Sequence, residues 1–142
     1  MIFYEFGTVA KIKQIVKLSK DSLRVMVEGT YRAHLDNLMM TEPMLKAEVT
    51  VFDKTICEMN DVQKAGCVRY LHDLLQNYSI QNPNFSSELV RQLMEEENLL
   101  KLVDQLCTNL PMEYKQRQKC LETIDLQMRF EVLAEFMTKE IE

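Results

Sequence analysis

The side chains in this 142-residue chain that could hold a metal, close a disulfide or move a proton are four cysteines and two histidines: Cys57, Cys67, Cys107, Cys120, His34 and His72. No two cysteines form a CxxC pair, so zinc-site spacing is missing. Reduced, partly buried thiols are the plain reading, with a disulfide or redox role as the alternative. His72 follows Cys67 by five positions, about 140° around a helix, so the two do not share a face as ligands would. His34, beside Arg32 and Asp36, reads as a solvated or hydrogen-bonded imidazole. Ser19-Lys20 and Ser22 lie in a turn-forming run, which offers a nucleophile no enclosed site. Gly7, Gly29 and Gly66 are too scattered for a phosphate loop, and no GxxxxGK[ST] occurs. The residues thus supply no catalytic, cofactor or metal constellation.

Binding chemistry is better represented. Ten methionines occur, and Met39, Met40 and Met44 cluster with Leu38 in DNLMMTEPM. Methionine is unbranched and polarisable, so it adapts to varied apolar shapes. These four residues are the candidate peptide-binding site; the alternative is that they cap a barrel or pack a sheet against helices. Lys11, Lys13, Lys17 and Lys20 form a basic stripe. It reads either as a solvated face that discourages edge pairing or as a docking strip for an acidic segment.

The elements that would position these residues change character along the chain. Ala10, Ile12, Val16 and Leu18 alternate with charged or polar neighbours, as in a strand with one buried face. After the turn-forming run Ser19-Lys20-Asp21-Ser22, alternation resumes at Leu23, Val25 and Val27, and again at Tyr31, Ala33 and Leu35. Gly29 separates these two sets and suits a bulge or bend. Met1–Phe6 is apolar and strand-like. Asp36–Met44 breaks the alternation around Pro43, and a further strand follows from Leu45 to Val51. From Asp61 the period becomes helical: Asp61 is the expected N-cap of a helix burying Val68, Leu71, Leu75 and Tyr78. Ser86 or Ser87 caps a short helix, and Glu95–Glu97 forms the acidic first turn of the next, running to about Thr108. Pro111 starts another helix, and Asp125 caps the last, Leu126–Glu142. Strands followed by helices, without alternation, indicate an α+β fold. The expected division is a β module over residues 1–55 and a helical lobe over 61–142.

These residues resemble the amino-terminal domain of ATP-dependent Lon proteases. Gly7, Thr8, Ala10, Ile12 and Gln14 match one strand motif of that family, and Val25, Val27, Glu28, Gly29 and Arg32 match the next. A second match, over Lys115–Gln118, Leu121, Glu122, Asp125, Arg129, Leu133, Glu140 and Ile141, resembles the family's last helices in the same order. The resemblance implies a small, partly open β-barrel or sheet related to the PUA fold, incomplete here because the family's domain carries further strands ahead of the first motif. It implies a non-catalytic role in recognising unfolded or damaged proteins and in assembly of a homo-hexameric, cytoplasmic protease. ATP and Mg would belong to that protein's ATPase domain, and a Ser-Lys dyad to a third domain. The last helix, having no terminator, is expected to continue toward the ATPase domain. Two alternatives remain: a stand-alone adaptor with only this domain, and a PUA-like nucleic-acid or ligand-binding module.

Composition weighs against the second alternative. Net charge is −5 and there is no Trp. Only Met1–Leu38 is mildly basic, with 6 Lys and Arg against 4 Asp and Glu, whereas the remainder has 11 against 18. Phosphate contacts supply most nucleic-acid affinity, and an acidic chain without stacking tryptophans makes few. No apolar run approaches the roughly 20 residues of a membrane helix, and the first residues lack the basic-then-apolar order of a signal peptide.

Overall fold

A computed structural model describes residues 3–142, which form two compact units, one ending at Lys54 and one spanning Thr55–Glu142. The first is an open antiparallel sheet of order β1-β2-β3, made of β1 (Phe6–Ser19), β2 (Ser22–Met40) and β3 (Lys46–Phe52). It is a sheet and not a closed barrel. The two sets of alternating residues on either side of Gly29 form one 19-residue strand, β2, not two strands. Leu38, Met39 and Met40, expected in a loop, also belong to β2, because Leu38 and Met40 pair with Ala47 and Lys46 of β3. The hairpin turn is Lys20-Asp21 alone, since Ser19 and Ser22 are already paired. Of the strand expected over Met1–Phe6, Met1 and Ile2 lie outside the described residues. Phe3 and Tyr4 are not strand, the Glu5 carbonyl accepts from Leu35 N–H at 2.6 Å, and Phe6 begins β1.

Bulges decide which side chains share a face. Lys13 is an extra residue between the pairs Ile12–Val27 and Gln14–Met26. One extra residue inverts the facing of everything beyond it. Ile15, opposite Val25, therefore joins Ile12, while Val16, opposite Arg24, leaves the row that alternation alone assigned to it. The lysine stripe is split in the same way: Lys13 reaches Glu28 at 2.9 Å on one face, and Lys17, opposite Leu23, lies on the other. Gly29 keeps the strand continuous and has an ordinary φ. A side chain there would be tight, because a Cβ would stand 3.1 Å from Thr8 Cγ2, which would have to give way by a few tenths of an ångström.

The second unit contains α1 (Asp61–Gln81), α2 (Ser87–Glu95), α3 (Leu99–Asn109), α4 (Tyr114–Glu122) and α5 (Leu126–Ile141). Helix α1 packs against α5, α2 and α3, and α3 packs against α4 and α5. Leu71, Leu75, Leu102, Val103, Leu106 and Leu133 are fully buried where they meet. At roughly 1.5–3 kcal/mol for each such side chain, this stripe provides the unit's main stabilisation. The α1 N-cap is Asn60, not Asp61; Asn60 and Gln63 exchange side-chain to backbone bonds of 2.8 and 3.0 Å in a capping box. Asp125 caps α5 as expected, accepting from Met128 N–H at 3.0 Å.

Two expected helix starts are displaced. Glu95 ends α2, and Glu96 and Glu97 connect it to α3, whose N-cap is Asn98. The cause is twofold: Asn98 Oδ1 accepts from Lys101 N–H, and His72 Nε2 stands 3.0 and 3.1 Å from the Leu93 and Glu96 carbonyls, which ends α2 there. Pro111 precedes α4 instead of starting it, because Arg117 donates to the carbonyls of Thr108, Leu110 and Met112 and holds that segment in non-helical form.

Arg129 is the one buried charged residue among those described. Its guanidinium donates to the Thr123 carbonyl at 2.8 Å, the Ile124 carbonyl at 3.2 Å and Asp104 at 3.0 Å, tying α3 and the end of α4 to α5. Arg129→Ala leaves those acceptors unmatched and opens a void, so it should cost about 3–5 kcal/mol of unfolding free energy, read from urea denaturation. A loss below about 1 kcal/mol would show that the tie is not structural.

Candidate functional site

The sequence-selected residues Leu38, Met39, Met40 and Met44 lie at the end of the sheet where β2 leads into β3, with Leu38 and Met40 on opposite faces because their partners Ala47 and Lys46 are successive residues of β3. Leu38 and Met40 are placed by the last β2–β3 pairs, with Met39 the extra residue of a bulge between them. A bulge frees its side chain from the regular pleat. Met44 lies in the connection that contains Pro43. Met39 and Met44 are each 57% exposed and Leu38 37%, whereas Met40 is half-buried. Leu45 beside them is exposed as well. The side-chain amide of Asn37 donates to Met39 Sδ at 3.3 Å, which orients the thioether. The patch has soft apolar side chains and no nucleophile, so its chemistry is contact, not reaction.

Next to it, a polar network joins β2 to β3 and to Glu5 just ahead of β1, and sequence reasoning missed it. His34 Nδ1 lies 2.7 Å from Asp36 Oδ1, Thr50 Oγ donates to Asp36 Oδ2 at 2.6 Å, and His34 Nε2 stands 3.7 Å from Glu5. Phe6 meets the imidazole edge-on at 5.0 Å and stacks on Phe52 at 6.0 Å. The Asp36 hydrogen bond raises the His34 pKa above its ordinary value, with the Asp36 and Glu5 charges adding to it. Thr50, then His34, lower that of Asp36. The sequence placed His34 and Asp36 near each other. It gave no sign of Thr50, because a bulge at Asp36 turns that carboxylate toward β3.

The other candidates resolve into structural roles. His72 binds the two carbonyls at the end of α2. Cys67 lies 3.8 Å from Met59 Sδ, and burial raises its pKa. A hydrogen bond to Cys120, together with burial, holds the Cys107 thiol far above the ordinary range. Such thiols are weak nucleophiles at neutral pH. Among the described residues, no group of three His, Cys, Asp or Glu side chains can hold a metal, and no helix is long and apolar enough to cross a membrane. An open cleft of about 360 Å³ on α1 is lined by Ala65, Val68, Arg69, His72 and Glu97.

Residues 2–139 match the family described as the ATP-dependent protease La (LON) substrate-binding domain. The chain is 34% identical over 139 residues to a Lon protease of Lachnoclostridium phytofermentans and 30% identical over 139 residues to one of Brevibacillus choshinensis. Both alignments cover 98% of this chain but only 17% and 18% of the relative, so the chain spans under a fifth of their length. Its fold is similar to the N-terminal domain of Mycobacterium avium complex Lon protease, with a TM-score of 0.73 and 21% identity, over 96% of this chain and 72% of that one.

The His34–Asp36–Thr50 network gives the sheet a pH window. The raised His34 pKa means that its contribution is complete below the ordinary 6.5 and is lost as pH rises through the raised value. The lowered Asp36 pKa means that its contribution is complete above the ordinary 3.8 and is lost as pH falls through the lowered value. Amide protection in β2 and β3, corrected for intrinsic exchange, should therefore be greatest between those limits and lower on either side. His34→Gln should flatten the alkaline arm. Equal corrected protection at pH 6 and pH 8 would show that the imidazole does not support the sheet.

Proposed function

The chain belongs to the family of substrate-binding domains of the ATP-dependent protease La (Lon), and on that premise we propose that it captures unfolded or damaged proteins through the Leu38, Met39, Met40 and Met44 patch. That family is the substrate-binding part of the protein and not the catalytic part. Exposure carries the choice of site: Met39 and Met44 are both more than half exposed at one end of the sheet, beside Leu38 and Leu45. Covering one such side chain is worth roughly 1.5–3 kcal/mol before ordering costs. Two or three contacts, less the entropy of fixing a flexible chain, leave weak affinity. Weak single sites suit a parent assembled as a homo-hexamer, in which several copies hold one unfolded chain by avidity. In this reading ATP and Mg act in the parent's ATPase domain, peptide bonds are cut by a Ser-Lys dyad outside this chain, and the assembly works in the cytoplasm.

Three outcomes test the proposal. With ATP and casein, the purified chain should release neither phosphate nor peptides above background. It should bind an unfolded casein in the range of about 10–100 μM, with little dependence on salt. Changing Met39, Met40 and Met44 together to Ser should abolish that binding while the melting temperature stays within a few degrees. Undiminished binding would place the site elsewhere, and a collapse of the melting temperature would assign the methionines to packing.

A further inference from the structure

Three sulfur atoms come together where the chain enters α1. The Cys67 thiol, two turns into that helix, donates to Met59 Sδ at 3.8 Å. Cys57 and Met59 lie in the non-helical segment ahead of α1, separated by Glu58, which is exposed, while Cys57 is half-buried and Met59 buried. Successive residues of an extended segment face opposite ways, so Cys57 and Met59 share the inward side, and both take part in the packing around the helical core. The segment is pinned at both ends: the Ile56 carbonyl accepts from Leu126 N–H at 2.9 Å, and Asn60 is locked in the α1 capping box. Burial, then the charges of Cys57 and Glu131, raise the Cys67 pKa, so both groups stand close enough to be felt there. The two thiols form no disulfide.

We propose that Cys57, Met59 and Cys67 form a trigonal site for a soft monovalent metal ion, Cu(I). Three observations choose that ion. First, two thiolates and a thioether are a donor set that selects Cu(I) over harder ions. Second, the spacing fits: sulfurs at trigonal angles, each about 2.3 Å from one ion, stand about 4 Å apart, and Cys67 and Met59 already do. Third, the further donors that zinc needs are missing. Among the described residues no three His, Cys, Asp or Glu side chains gather, so Glu131 contributes a negative field that draws a cation and not a bond. The other thiol pair is a poor rival, because Cys120 is buried and the positive charge of Arg129 acts on Cys107. Loading leaves the oxidation state of the ion unchanged: two S–H bonds give way to two S–Cu bonds, the thioether adds a lone pair, and two protons pass to solvent. Only the folded chain gathers these donors, so the ion stabilises the helical unit and clasps its first segment to α1.

Anaerobic titration of the reduced 142-residue chain with Cu(I), against bicinchoninate as a coloured competitor, tests this. The chain should withdraw one ion and its melting temperature should rise on loading. Met59→Leu, a swap of similar volume, should weaken the affinity at least about tenfold, Cys67→Ser should abolish uptake, and Cys107→Ser should leave it unchanged. X-ray absorption of the loaded chain should show sulfur alone around the ion. No uptake, uptake that survives Cys67→Ser or is lost with Cys107→Ser, or nitrogen or oxygen neighbours, overturns the site. Should the variants fail to fold, wild-type chain with isotope-labelled methionine methyls decides. A Met59 methyl resonance that moves on loading supports the site, and one that stays while others move overturns it.

Discussion

Side chains on a strand must alternate between two faces, and in the sheet unit three departures from this rule, at Lys13, Asp36 and Met39, each place a particular side chain. The Lys13 bulge keeps Ile12 and Ile15 in one row and turns Lys13 to Glu28. The Asp36 bulge brings a carboxylate toward Thr50 and His34 at the cost of one ladder position. The Met39 bulge opens the end of the strand and leaves Met39 more than half exposed, with its thioether held by the Asn37 amide. Pairing thus fixes the backbone, and bulges distribute chemistry over it.

The helical unit solves a different problem. Its connections are short, and the carbonyls at the ends of α3 and α4 would be left unbonded inside it. Two arginines satisfy them: Arg117 binds three carbonyls around the α3–α4 connection, and Arg129 binds two at the end of α4 together with Asp104. A guanidinium presents five donors in a fixed plane and stays charged at any working pH, which neither lysine nor histidine offers at such a position. The same logic holds at the end of α2, where one imidazole edge is enough for two carbonyls.

How much of this was legible follows from the range of the interactions. Period gave the strand-then-helix order and the stripe Val68, Leu71, Leu75 and Tyr78, all buried in α1. Local capping gave Asp125, because an N-cap acts within three residues. The starts of α3 and α4 were misread: the acidic run Glu95–Glu97 and Pro111 are sound local signals, but His72 acts on the first segment from α1, and Arg117 reaches back from inside α4 to the carbonyls around the second. Leu38–Met40 was read as loop because bulges disrupt alternation in sequence while leaving the strands paired in space. The Met39 and Met44 side chains could be nominated from residue type alone; their exposure could not, since it depends on what the fold leaves uncovered.

Beyond the last β3 pair at Arg32, β1 and β2 continue as a two-stranded ribbon to the Lys20-Asp21 turn, and this has a mechanical consequence. Its β1 arm, Ala10–Ser19, reaches about 30 Å at strand rise, with only one neighbouring strand to resist shear. Two-stranded ribbons twist more freely than wider sheets. A change of about 10° in direction at the base, next to the Ala10–Gly29 pair, carries the Lys20-Asp21 tip through about 5 Å. The three-stranded part of the sheet is stiff by comparison, clamped by Phe6, His34, Asp36, Thr50 and Phe52. The unit is therefore a rigid mount bearing a compliant arm, and a load applied at the tip would bend it first where β3 gives way to the ribbon.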